Sequence, residues 1–158
     1  MFRDGAIDGA IFKKLTQFND ARGWLTELYR NDELDAEFHP VMAYISMTLP
    51  GVARGPHEHR DQADYFCFIG PSNFKLYLWD SRKHAATFRN RQAVVVGADN
   101  PQAVIVPPGV VHAYKNVGNM PGIVFNCPNR LYRGSGRSEP VDEIRHENVP
   151  GNEFKLDW

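Results

Sequence analysis

An all-β fold, an antiparallel sandwich or barrel, is what this chain predicts. Three observations predict it: short runs of β-branched and aromatic residues, turn residues between them, and almost no helical pattern. The runs are Val41 to Thr48, Tyr65 to Ile69, Phe74 to Trp79, Gln92 to Val96, Ala103 to Val106 and Gly122 to Cys127. Pro50-Gly51, Gly70 to Asn73, Gly97 to Pro101, Pro107-Pro108-Gly109 and Gly118 to Gly122 separate them, with the preset or permissive φ that lets a chain reverse. Only Asn31 to Phe38, with its acidic start, hints at a helical turn. Arg133 to Trp158 is charged and broken by Gly134, Gly136, Pro140, Pro150 and Gly151, so it is expected to wrap the surface and dock by Phe154 and Trp158.

The 158 residues suffice for one hydrophobic core, and with no repeat or linker residues 1–158 read as a single domain. Eighteen basic and 19 acidic residues leave a net charge of −1, and no basic stretch is present to neutralise a row of phosphates, which argues against nucleic acid as a partner. No run approaches the ~20 apolar residues of a membrane span, and Met-Phe-Arg-Asp-Gly is not a leader. The expectation is a soluble, cytoplasmic protein with no membrane partner. Cys67 and Cys127 lie inside apolar runs and read as buried free thiols, and Trp79 in Leu76 to Asp80 reads as core.

The chemistry concentrates in histidines. His57 and His59 stand at i and i+2, which on a strand is one face. His112 follows Pro107-Pro108-Gly109, a stiff turn suited to a pocket wall, whereas His39, His84 and His146 have no partner at ligand spacing and read as surface residues. Glu58 alternates away from the histidines, towards solvent.

Gly51 to Gly70, with its Gly-Pro-His57-Glu-His59 and Asp64, and Pro107 to Asn116 together resemble the two motifs of the cupin superfamily. The resemblance implies a jelly-roll β-barrel of two packed antiparallel sheets. Asp64 stands where the superfamily has glutamate. Imidazole and carboxylate donors suit divalent ions, so an alternative reading is a metal site of His57, His59, Asp64 and His112 holding Fe, Mn or Zn.

From about Ile11 to Trp158 the chain further resembles the dTDP-4-dehydrorhamnose 3,5-epimerase family, through Asp20-Ala-Arg22-Gly23, Gly51-Val-Ala-Arg54-Gly55-Pro-His57, Asp80-Ser-Arg82, Thr87-Phe88 and Ala98 to Tyr114. The resemblance implies proton abstraction beside the ketone of a 4-keto-6-deoxyhexose, without cofactor. His57 would be the base, Arg54 a diphosphate or enolate contact, His112 a substrate contact, and Arg22 and Glu27 nucleotide contacts across a homodimer interface. The family's lysine is replaced by Asp64 and its acid tyrosine aligns with Phe125, which leaves Tyr132, Tyr114 or Tyr65 as the acid, with Tyr132 the catalytic candidate beside His57. Asn148 to Pro150, or the adjacent Glu147, corresponds to the carboxylate that orients the base. Three functions stay open: an epimerase acting on a sugar nucleotide, a metal-dependent dioxygenase or isomerase, and a binding module without turnover.

Overall fold

The computed structural model describes residues 1–156; Trp158, expected to dock, lies outside the described residues. One sheet contains β1 (Arg3–Asp4), β6 (Ala53–Glu58), β8 (Asn73–Asp80), β9 (Asn90–Gly97), β11 (Val110–Asn116) and β13 (Ile144–Arg145), in the order β1-β9-β8-β11-β6-β13. The other contains β2 (Ile11–Lys14), β5 (Tyr44–Thr48), β7 (Asp64–Gly70), β10 (Gln102–Val106) and β12 (Gly122–Asn126), in the order β2-β10-β7-β12-β5. A separate hairpin pairs β3 (Phe18–Asp20) with β4 (Gly23–Leu25). All pairings are antiparallel except β1 with β9. This is the two-sheet jelly roll that the motifs imply. The acidic stretch near Asn31 forms two short 3₁₀ turns, Asn31–Glu33 and Ala36–Phe38.

Period-two alternation sorts the side chains into layers. On β7, Phe66 and Phe68 point between the sheets, where they meet Phe74, Leu76 and Leu78 of β8, Val104 and Val106 of β10, and Tyr114 of β11. The intervening Tyr65 and Cys67 face outward and are covered by Leu28, Leu34 and Phe38. Tyr77 and Trp79 pack under Phe2 and Phe154 on the opposite outer face. Both cysteines are buried and free.

The Asp80, Arg82 and Thr87 matches to the family motif have a structural role here. Asp80 accepts from Arg82 Nε at 2.9 Å and from Thr87 at 2.5 Å, while Arg82 reaches the Asp8 carbonyl at 2.7 Å and holds the N-terminal segment down.

Two expectations about polar residues fail. Glu58 is partly buried and accepts a hydrogen bond from His146 at 2.8 Å, so neither residue is a free surface group; the strand β13 that pairs with β6 brings them together. The C-terminal stretch likewise does more than wrap the surface, because β13 extends the sheet beside His57.

Candidate functional site

The interior-facing residues at one end of the barrel are polar, and alternation places them there. Asp64 continues the inward row of Phe66 and Phe68, and His112 that of Val110 and Tyr114. His57 of β6 lies opposite His112 in the ladder, and Arg54 lies opposite Tyr114. Arg54 and His57 are three positions apart on β6, but their partners on β11 are only two apart. A bulge at Gly55-Pro56 absorbs the difference and turns Arg54 and His57 to the same face. Gly55 is needed for it: φ is +83°, and an added Cβ would stand 2.6 Å from the His112 carbonyl oxygen.

His57, His59, Asp64 and His112 converge, each offering one ligand-type atom within 4.8 Å of the others. The rings of His57 and His112 lie 4.4 Å apart, edge to face. Asp64 is fully enclosed. Its Oδ1 accepts from Gln62 Nε2 and Asn126 Nδ2, each at 2.8 Å. Its Oδ2 faces His112 Nε2 at 3.0 Å and His59 Nε2 at 3.2 Å. The approach of His112 is not that of a hydrogen bond, and neither Asp64 Oδ2 nor His112 Nε2 has a bonded partner among the described residues. The opposite ring nitrogens are anchored on main-chain carbonyls, His112 Nδ1 on Val110 at 3.0 Å and His59 Nδ1 on Asp142.

These surroundings set the charges. Burial, then the neighbouring His112, hold His57 down to about 2, so it is neutral at physiological pH. Burial opposes a charge on His59 as well, but the Asp64 carboxylate and the Asp142 carbonyl prevail and push it up to about 9. Asp64 is held well below the ordinary carboxylate range: burial opposes this, and the facing His112 and His59 imidazoles outweigh it.

Sequence reasoning missed several groups. Asp142 accepts the N–H groups of Arg60, Asp61 and Gln62 at 2.9, 3.0 and 2.9 Å, pinning the loop that follows His59. Glu143 puts Oε1 4.0 Å from His57 Nε2 and takes Arg145 on its other oxygen at 2.7 Å. The carboxylate beside His57 is therefore Glu143, not Glu147 or the segment from Asn148 to Pro150. Its only signal was an acidic pair in a charged tail. Tyr44 alternates inward with Ser46 and Thr48 on β5, a pattern visible in the sequence. Its hydroxyl accepts from Asn126 at 2.9 Å, so its own proton has no acceptor among the described residues. Burial, then the Asp64 charge, raise this phenol and keep it protonated.

The remaining expected residues divide into two groups. Arg54 opens onto the same cavity, with Nε on Thr48 at 3.0 Å and Nη2 on the Met47 carbonyl at 2.8 Å. Tyr132 stands half-exposed on the cavity rim, and Tyr114 lies inside, hydrogen-bonded to Ser46 at 3.0 Å. Tyr65, by contrast, faces the outer layer with its hydroxyl on the Leu28 carbonyl, which removes it as an acid. Phe125 also faces that layer, and the inward neighbour on β12 is Asn126. Arg22 and Glu27 do not line the cavity: Arg22 pairs with Asp20 at 2.5 Å in the β3–β4 turn and Glu27 with Arg30 at 3.5 Å.

Residues 4–139 match the family model of dTDP-4-dehydrorhamnose 3,5-epimerase. The chain is 36% identical over 115 residues to the probable low-salt glycan biosynthesis epimerase Agl13 of Haloferax volcanii, covering 72% of each chain. It is 36% identical over 115 residues to the spore coat polysaccharide biosynthesis protein SpsL of Bacillus subtilis, covering 73% of this chain and 75% of that one. Among solved structures it resembles a dTDP sugar isomerase from Desulfovibrio desulfuricans, with a TM-score of 0.81 and 23% identity over 94% of this chain and 91% of that one. It also resembles the Legionella pneumophila epimerase in complex with dTDP-4-keto-L-rhamnose, with a TM-score of 0.73 and 19% identity over 90% and 74%.

Proposed function

The chain belongs to the dTDP-4-dehydrorhamnose 3,5-epimerase family, and from that we propose that it is an isomerase of a nucleotide-linked 4-keto-6-deoxyhexose with His57 as base. One observation carries the reading: His57 faces the cavity on the same wall as Arg54, has no hydrogen bond among the described residues, and lies 4.0 Å from Glu143. The ligand of the Legionella pneumophila relative supports the substrate class.

A neutral imidazole can take the proton from the carbon next to the ketone. The C–H electrons then form an enolate, whose charge lies against the Arg54 guanidinium. Because burial makes the imidazolium costly, Glu143 closing on His57 would stabilise the protonated form. A phenol on the cavity wall returns a proton to the opposite face, and Tyr44 and Tyr132 are the two whose O–H has no acceptor among the described residues. The phenolate is restored through solvent as His57 gives up its proton, so the net reaction is an inversion.

The protein is further read as a cytoplasmic homodimer. Phe18, Trp24 and Leu25 of the β3–β4 hairpin, which also carries Arg22, and Ile45 and Met47 of edge strand β5 are exposed and apolar, as a self-complementary interface requires. Among the described residues no helix is long and apolar enough to cross a membrane.

Incubation with dTDP-4-keto-6-deoxyglucose in heavy water tests the activity. Deuterium is expected at C3 or C5, with a loss of ~10²–10⁴ in rate in His57→Gln. Absence of label from both carbons refutes the reading for that substrate.

A further inference from the structure

The cavity spans about 1590 Å³, more than the roughly 300–1,000 Å³ of an ordinary small-molecule pocket, so a hexose at His57 leaves the mouth unfilled. The mouth is rich in arginine. Six of the chain's twelve arginines line the cavity: Arg54, Arg60, Arg130, Arg133, Arg137 and Arg145. Of the six elsewhere, all but Arg3 form an ion pair with a carboxylate. In the cavity Arg145 pairs with Glu143, and the other five arginines form no ion pair among the described residues. Asp61, Glu139 and Glu147 share the lining, yet none of them pairs with these arginines.

The loops that carry the arginines are held from behind. Asp142 holds the N–H groups of Arg60, Asp61 and Gln62, and Arg130 Nε donates to the Asp61 carbonyl at 3.1 Å, which joins the two loops and leaves both arginine side chains exposed. Bonds from Gly134 N–H to the Leu131 carbonyl at 2.9 Å and from Glu139 N–H to the Arg133 carbonyl at 2.8 Å close the next loop on itself. In that loop Arg133 and Arg137 both have φ of +60°, a left-handed conformation that suits Gly or Asn and that an arginine adopts only at a cost. Backbone preference therefore does not account for arginine at either position, whereas an acceptor for the guanidinium does.

We propose that Arg60, Arg130, Arg133 and Arg137 form a diphosphate subsite at the cavity mouth, so that this chain's own loops hold the nucleotide end of its substrate. A guanidinium offers paired donors to phosphate oxygens and keeps its charge at any working pH. Uncompensated positive charge around a cleft also concentrates an anion there. What the diphosphate carries rests on the sugar-nucleotide reading; the subsite itself does not. The family resemblance gives the nucleotide contacts to Arg22 and Glu27 across a dimer, but Arg22 is paired with Asp20 and lies outside the cavity lining. Arg54, whose Nε and Nη2 are bonded to Thr48 and Met47 of β5, stays with the sugar.

Calorimetric titration of the full chain with dTDP and with inorganic pyrophosphate tests the subsite. Both ligands should bind, with affinity that falls as NaCl is raised. Arg133→Ala/Arg137→Ala and Arg60→Ala/Arg130→Ala should each weaken dTDP roughly 10–100-fold. Lys83→Ala/Lys155→Ala removes the same charge from exposed positions outside the cavity and should leave the affinity unchanged. In turnover the arginine variants should raise KM and keep kcat, because the diphosphate is held alike in the ground and transition states. The two arginine pairs lie on different loops, so one remains informative if the other fails to fold. Native affinity in both arginine variants, an equal loss in the lysine variant, or a loss confined to Arg22→Ala overturns the subsite. Binding of dTDP without deuterium exchange into the 4-keto sugar refutes the epimerase reading alone, and exchange at the native KM in both arginine variants refutes the subsite alone.

Discussion

Replacing Gly55 by alanine attacks the bulge that puts Arg54 and His57 on one face. A side chain at φ +83° costs ~1–2 kcal/mol. The new Cβ would lie 2.6 Å from the His112 carbonyl oxygen, where ordinary contact begins at 3.4 Å, so β6 and β11 must separate or the bulge must dissolve. Forced overpacking of this kind adds ~1–3 kcal/mol, for a total of about 2–5 kcal/mol. Gly51 isolates the first contribution: its φ is +76°, but nothing lies within 4 Å of an added Cβ, so Gly51→Ala should lose only ~1–2 kcal/mol. Urea unfolding followed by the fluorescence of buried Trp79 measures both variants. Gly55→Ala should also lose exchange at the sugar while Gly51→Ala keeps it, because a strand that slips by one residue turns Arg54 out of the cavity. Equal destabilisation of the two variants would refute the bulge argument.

Three other perturbations have defined outcomes. Asp142→Ala strips the acceptor from the N–H groups of Arg60, Asp61 and Gln62 and should cost ~1–3 kcal/mol in urea unfolding. Tyr44→Phe should suppress inversion more than deuterium exchange at the same carbon, since His57 can still remove and return a proton on its own face; inversion at the native rate, followed by NMR, rules Tyr44 out as the donor. Asp80 is depressed below 3.8: burial opposes ionisation, but Arg82 and Thr87 outweigh it. Its contribution is therefore complete above 3.8 and is lost as pH falls through the lower folded value, so Asp80→Asn should flatten the acid limb of the melting-temperature profile below about pH 4.

Much of the fold was legible because its signals are local. The runs at Tyr65, Phe74, Gln92, Ala103 and Gly122 became β7, β8, β9, β10 and β12, each within two residues at either end. The short strands β1, β2, β3, β4 and β13 were not seen, since two to four residues contain too little pattern to stand out, and neither β6 nor β11, whose apolar pattern is broken by Gly55-Pro56 and by polar residues, was among the runs. Within the site, the shared face of His57 and His59 follows from period-two spacing. Tyr65 fails as an acid for the same reason: alternation turns it to the outer layer, together with Phe125, which stands where the family has its acid tyrosine.

The amino-acid sequence by itself determined that this is a β-barrel of a sugar-epimerase family that brings His57 and His112 together, because strand alternation, turn residues and motif spacing are read along the chain. Only the tertiary structure decided that Glu143 is the carboxylate facing His57, that the bulge at Gly55 aligns Arg54 with it, and that Asp64 Oδ2 is set against two fixed imidazoles. Glu143 is 86 residues from His57, and no local preference links them. Pairing of β13 with β6 brings them together, and the distant Asp142 carbonyl sets the orientation of His59.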